Sequence, residues 1–281
     1  MNKIPYVAAI IMLVACSAKT KQQQDKLYSR HLQRSVDLTI INTPLPDDKS
    51  QLNLLLLNDG QDAEKWRVQP ILDSLYKAKA IGPVVVVAIH AGDRMQEYGV
   101  AGKPDYEKRG SKADHYDEFV NNELYPFIKK KTGVRKFNSV VIAGASLGGL
   151  SAFDIGWTHA DKVDKIGVFS GSFWWRDKDT KDSTYNDDDN RIMISRLKAS
   201  RKKPNQQYWF YAGGAEENSD RDKDGIIDVV DDTKDVITLV QKRVTTPGAV
   251  VYKEIADGRH DWPWWSAVLP EFMVWAFGTK R

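Results

Sequence analysis

Gly144-Ala145-Ser146-Leu147-Gly148-Gly149 decides how the rest of this chain reads. It follows the apolar run Val140-Val141-Ile142-Ala143. It leads into Leu150-Ser151-Ala152-Phe153-Asp154-Ile155, whose apolar residues have helical spacing. A strand, Gly-x-Ser-x-Gly and a helix, in that order, form a nucleophile elbow. The turn is tight enough to strain the serine backbone, so residues two places away must be small. It lifts the hydroxyl clear of the sheet and sets the Leu147 N–H at a helix N-terminus, where it can stabilise an oxyanion. A bare Gly-x-Ser-x-Gly arises by chance in about one chain in ten of this size. Its plainer reading is a glycine-rich turn. The preceding strand and Gly149 favour the nucleophile, provided an acid and a histidine follow in the chain.

The flanking sequence supplies the sheet. Val36, Leu38 and Ile40 alternate with polar residues, which predicts a half-buried strand over 35–42. Asn53 to Leu57 is continuously apolar, as in a strand covered on both faces. A helix is expected over Ala63 to Ala80, kinked or divided at Pro70. Pro83 to Ile89 is β-branched and should be a central parallel strand. Asp114 is expected to cap a helix running to Lys131, with Gly133 ending it. Strand 139–144 and helix 147–158 flank the elbow. Further strands are expected at Ile166 to Phe169, Tyr208 to Tyr211 and Val250 to Ile255. Helices are expected at Thr233 to Val244 and Trp262 to Phe277. Residues 173–206 break the rhythm and read as a small lid-like insertion. Alternating strands and helices predict an α/β fold: a mostly parallel central sheet with helices on both faces. Its site should lie beyond the carboxyl ends of the strands.

With 281 residues, 41 Lys and Arg, 38 Asp and Glu and a formal charge of +3, the chain suits one large domain. The charges are interspersed. No basic stripe argues for nucleic acid as a partner. Residues 1–15 read as a lipoprotein signal peptide: Lys3, an apolar Ile4 to Val14, then Leu13-Val14-Ala15-Cys16. Cys16 is the only cysteine, so no intrachain disulfide can form; its thiol would carry the lipid. An ordinary cleaved signal is the plainer alternative. Residues 16–34, rich in Lys and Gln at their start, read as a flexible tether before a domain over 35–281. The expected location is the bacterial envelope, lipid-anchored, with Ser17 after the cysteine resembling outer-membrane sorting.

A serine hydroxyl needs a base. Of the five histidines, His31 falls in the tether, His115 and His159 fall on helices, and His90 precedes the serine. His260, in Asp257-Gly258-Arg259-His260-Asp261-Trp262, comes straight after the last strand. The acid should follow a strand end between serine and histidine. Phe210-Tyr211-Ala212-Gly213-Gly214-Ala215-Glu216-Glu217 offers Glu216 first and Glu217 second. It would hold the His260 tautomer and stabilise the imidazolium. The oxyanion hole would use the N–H of Leu147 and, from the loop after strand 53–57, that of Gln61.

Together these residues resemble the esterase branch of the α/β-hydrolases. That branch includes enterochelin esterases, feruloyl and acetyl-xylan esterases, S-formylglutathione hydrolase and the antigen 85 acyltransferases. The resemblance covers about residues 50–278. It rests on Leu55-Leu56-Leu57-Asn58-Asp59-Gly60-Gln61, Arg94 with Glu97-Tyr98, Glu123 to Ile128 and Gly144 to Gly149. It continues in Ser170-Gly171-Ser172-Phe173-Trp174-Trp175 and Gly258 to Trp262. The resemblance implies a serine carboxylic-ester hydrolase with Ser146 as nucleophile, His260 as base and Glu216 at the acid position. Many members carry aspartate at that position. The substrate would be a small-molecule or oligosaccharide ester, of a carbohydrate or a siderophore, and no catalytic cofactor is implied. Acyl transfer to a sugar and a non-catalytic binding lipoprotein are the alternatives.

Arg94 and Glu97 are expected as a buried ion pair beside the site, with contact between Arg94 and an anionic substrate as the sharper reading. Phe173, Trp174, Trp175, Trp262, Trp264 and Trp265 flank the serine and histidine loops. Core packing explains most of them; Trp175 and Trp262 are the candidates for an aromatic wall against substrate. Finally, Asp220-Arg221-Asp222-Lys223-Asp224-Gly225-Ile226-Ile227-Asp228-Val229-Val230-Asp231 follows a calcium-loop template. Asp220, Asp222, Asp224, the Ile226 carbonyl and Asp231 would be ligands, with Asp232 a possible substitute. A Ca2+ there would be structural, pinning the loop of the acid. A solvated acidic loop is the plainer reading.

Overall fold

The computed structural model describes residues 19–279. The expected signal peptide and Cys16 lie outside the described residues. Eight strands make one sheet: β1 (Lys21–Ser29), β2 (Arg34–Asn42), β3 (Asn53–Asn58), β4 (Val84–Ile89), β5 (Val140–Ala145), β6 (Lys165–Phe169), β7 (Gln207–Gly213) and β8 (Val250–Ile255). Their order is β1-β2-β4-β3-β5-β6-β7-β8. β1 and β2 are antiparallel to their neighbours, and from β4 to β8 every pairing is parallel.

The middle strands show why a parallel sheet forms here. Every residue of β3, β4 and β5 is buried. Strand side chains alternate between faces, so Leu54, Leu56, Val85, Val87 and Ile142 pack on one side. Leu55, Leu57, Val84, Val86 and Val141 pack on the other. The first side is covered by α3 (Ala113–Glu118), α4 (Tyr125–Thr132), α5 (Leu147–Thr158) and α8 (Asp228–Gln241). The second is covered by α1 (Val68–Lys77) and α9 (Trp262–Phe277). The short α2 (Arg94–Glu97) follows β4. α6 (Asp187–Asn190) and α7 (Ile192–Ala199) belong to the insertion. Among the described residues no helix is long and apolar enough to cross a membrane.

Several expectations change. The tether over 16–34 is largely an edge strand, because all nine residues of β1 pair with β2. An edge strand with one face in water keeps a polar sequence, and Lys and Gln there discourage further pairing. Pro70 does not kink a long helix. It lies in the first turn of α1, where its missing N–H has no partner to lose. Asp114 does not cap α3. The cap position is Lys112, and the Asp114 carboxylate accepts the neighbouring His115 N–H. The expected single helix to Lys131 is interrupted by a π-helical stretch over Phe119–Leu124, just before Pro126 in the first turn of α4. Proline cannot donate to the preceding turn, so the ladder changes spacing there. α8 starts five residues earlier than expected, at Asp228.

The insertion is not a free lid. Phe173, Trp175, Met193, Ile194 and Leu197 join the core. Arg191 is buried and bonds Asp232 at 2.5 Å and Asp235 at 2.6 Å on α8.

Candidate active site

Ser146 stands between β5 and α5 at φ 55° and ψ −126°, a left-handed conformation that costs a non-glycine residue strain. Two glycines make the turn possible. A Cβ on Gly144 would lie 2.4 Å from the Gly148 backbone, and one on Gly148 would lie 2.6 Å from the Asp59 carboxylate. Leu147 is the first residue of α5, so its N–H has no acceptor within the helix. The Ser146 hydroxyl lies 3.5 Å from the Ser172 hydroxyl. Among the described residues no hydrogen bond joins Ser146 to His260.

His260 lies in the turn from β8 to α9. Its Nδ1 is 2.7 Å from Glu216 Oε2, with the imidazole 38% exposed and the carboxylate 1%. The other carboxylate oxygen, Oε1, accepts the Gly213 N–H and the Ser170 hydroxyl, both at 2.6 Å. Ser170 in turn accepts the Trp265 indole N–H at 2.8 Å. Trp265 also meets the His260 ring edge-to-face, with centroids 5.0 Å apart. Donors therefore fix both oxygens of Glu216, and a packed indole fixes the ring. Glu217 turns away. Its Oε1 accepts the Val229 N–H at 2.8 Å. Burial, with Asp228 and Asp232 nearby, pushes its pKa up.

The turn after β3 approaches the elbow from the other side. Asp59 is buried and left-handed, at φ 59° and ψ 48°. Arg94 grips its carboxylate with two bonds, at 2.8 and 3.0 Å. The Gln61 side-chain amide donates to Asp59 at 3.0 Å and accepts the Ala91 N–H at 3.2 Å. The Gln61 side chain thus ties the Gly60–Asp62 turn to Asp59 and to Ala91 after β4. Asn58 ties the turn to α5 by donating to the Gly148 carbonyl at 2.8 Å. Its Oδ1 accepts the Tyr116 hydroxyl at 2.7 Å.

Trp175 is corrected as a substrate contact, and Arg94 as the partner of Glu97. Trp175 is fully buried and donates to the Lys103 carbonyl, so it is core. Trp262 is half-buried and packs edge-on against Trp66 and Trp265, with centroids at 5.6 and 5.0 Å, so part of its ring stays exposed. Arg94 is committed to Asp59 and does not pair with Glu97. Glu97 bonds Arg34 instead, twice at 2.6 Å. Taken singly, Asn58, Asp59, Ser170 and Ser172 carry no sequence mark of a role at the site. Their one signal was membership of the Asn58-Asp59-Gly60-Gln61 and Ser170-Gly171-Ser172 strand-end motifs.

In the acidic loop, the carboxylates of Asp220, Asp222 and Asp224 each place an oxygen within 4.8 Å of the others. Ligands at 2.3–2.6 Å from one Ca2+ lie at most about 5 Å apart, so these three fit a common cation. Asp231 stands on α8 outside that group. Asp232 cannot substitute, because Arg191 and Arg221 already bond it. Asp228 is taken by Arg221 at 3.1 Å.

Known proteins share this architecture. An enterobactin esterase from Shigella flexneri superposes with a TM-score of 0.69 at 21% identity, over 90% of this chain and 58% of that one. A ferulic acid esterase superposes at 0.66 with 17% identity, over 92% and 98%. At these identities the likeness is one of fold. An uncharacterized protein, YbbA, from Bacillus subtilis (strain 168) is 26% identical over 133 residues, 46% of this chain and 53% of its own length. The chain thus spans little more than half the length of that relative and of the Shigella esterase. The sequence model of the "Putative esterase" family matches residues 29–276, and the chain belongs to that family.

Proposed function

We propose that this protein is a serine carboxylic-ester hydrolase working through an acyl-enzyme, on a carbohydrate or siderophore ester. The observation that carries the reading is the His260–Glu216 pair, a half-exposed imidazole on a buried carboxylate. It stands at the same end of the sheet as the strained Ser146. Ser146 Oγ attacks the ester carbonyl carbon, and its proton passes to His260 Nε2. Glu216 holds the imidazole by Nδ1 and stabilises the imidazolium. The N–H groups of Leu147 and Gln61 take the oxyanion. The bond to the alcohol then breaks, and His260 returns the proton to the leaving oxygen. Water, deprotonated by the same base, releases the acid. Unliganded sites commonly hold the serine–histidine bond loose and tighten it with substrate.

Structural Ca2+ at Asp220, Asp222 and Asp224, and an envelope anchor through Cys16, belong to the same proposal. Labelling of the expressed protein with a fatty-acid analogue tests the anchor: loss of label in Cys16→Ala supports it, and an unlabelled parent rejects it. The function itself is tested with purified chain on p-nitrophenyl acetate, methyl ferulate, an acetylated xylo-oligosaccharide and a catecholate trilactone. Turnover that vanishes in Ser146→Ala with the fold intact is expected. Turnover retained in that variant would refute the assignment.

A further inference from the structure

A cavity of about 280 Å3 lies beside the loops that carry Ser172 and Glu216, bounded by Tyr106, Arg109, Trp174, Arg176, Glu217 and Arg221 among others. Pockets for whole drug-sized ligands start at about 300 Å3, so this one suits part of a substrate. Trp174 and Arg176 follow Ser172, whose hydroxyl is next to Ser146. Glu217 follows the carboxylate that holds His260.

The three arginines differ. Arg109 is matched by Asp105, at 2.5 Å, and by Glu107, at 3.1 Å. Arg221 is matched by Asp187 and Asp228, each at 3.1 Å, and by Asp232. Arg176 has no ion pair among the described residues. Its one side-chain hydrogen bond is a long 3.5 Å contact from Nη1 to the Trp174 carbonyl. Its Nε is buried with no acceptor. The Trp174 and Tyr106 rings lie 5.8 and 5.4 Å from the guanidinium. Those distances allow cation–π contact, which holds the guanidinium in place, and its Nη2 has no hydrogen-bond partner among the described residues. Glu217, the cavity carboxylate without an arginine, has one oxygen on the Val229 N–H. Burial pushes its pKa up from the usual carboxylate range.

We propose that Arg176 is a specificity-determining residue that receives a carboxylate carried by the ester substrate away from the scissile bond. A carboxylate offers the paired acceptors that the free edge of a guanidinium lacks here. The proposal rests on the serine-esterase reading above and narrows its substrate to acidic esters.

The test uses the purified full chain and two ester series. One is the p-nitrophenyl monoesters of straight-chain dicarboxylic acids from succinate to suberate. The other is the acetate esters of hydroxy acids of similar reach. Each is compared with its methyl-capped, uncharged form in wild type, Arg176→Lys and Arg176→Gln. The readout is the ratio of kcat/KM, acid to capped, within each protein, so a general loss of activity cancels. Wild type should favour the acid about tenfold or more at some chain length, chiefly through KM. That preference should shrink in 0.5 M salt, fall to about one in Arg176→Gln and survive in part in Arg176→Lys. A wild-type ratio of one or less throughout, or a preference unchanged in Arg176→Gln, would overturn the subsite and leave the esterase standing. Failure of wild type to hydrolyse any ester would overturn the esterase reading and this proposal with it.

Discussion

Glu216 and Glu217 are the same side chain one peptide apart, and their surroundings give them different work. Glu216 has the Gly213 N–H, the Ser170 hydroxyl and His260 around its two oxygens. Glu217 has the start of α8. Glu216→Gln should lower kcat by about 10²–10⁴-fold, because an amide no longer sets the imidazole tautomer. Glu217→Gln should change it less than threefold. Equal losses in the two variants would contradict the division. Asp59 is a second contrast. It is buried and depends on Arg94, so Arg94→Met leaves a carboxylate without its cation, a loss of about 3 kcal/mol. Both melting temperature and kcat should fall, the latter because the Gln61 turn loses its anchor. A rise in KM alone, with kcat and melting temperature unchanged, would return Arg94 to the role of substrate contact. The pairing of Glu97 with Arg34 was not legible in sequence, since partners 63 residues apart leave no local pattern.

At the scale of elements, what could be read followed from burial. The all-buried β3, β4 and β5 announce themselves as apolar runs, and α5 and α9 fall where spacing put them. β1 was hidden because an edge strand with Lys and Gln facing water has the composition of a linker. Truncation before Arg30 should therefore lower the melting temperature by several degrees, through lost pairing along the whole of β2. An unchanged melting temperature would restore the tether. In α5, Asp154 is buried beside Arg196, and burial pushes its carboxyl up to about 6. The folded state then holds a proton that the unfolded state has lost between about pH 4 and pH 6. This group's contribution is greatest below that window and declines as pH rises through it. Asp154→Asn should flatten the stability–pH curve there; an identical curve would show that the group does not titrate in this range.

Across the whole molecule, the sheet order places the ends of β3, β5, β6, β7 and β8 side by side, although their loops are far apart in sequence. That convergence was legible as strand ends followed by Asn-Asp-Gly-Gln, Gly-x-Ser-x-Gly, Ser-Gly-Ser and Gly-Arg-His-Asp. The wall of the site was not: whether a tryptophan faces substrate or core depends on how the insertion folds back, and Trp175 is buried. The acidic loop bears on the molecule's overall stability, being tied to α8 and through Arg221 to the insertion. A chelator should lower the melting temperature and Ca2+ restore it, with no shift in an Asp220→Asn, Asp222→Asn double variant; a chelator without effect would reject the cation. The most direct test of the central claim is intact-mass and peptide analysis after treatment with a fluorophosphonate. The account predicts one adduct per chain, on Ser146, absent in Ser146→Ala and greatly slowed in His260→Ala. No adduct on folded protein, or an adduct on another residue, would contradict it.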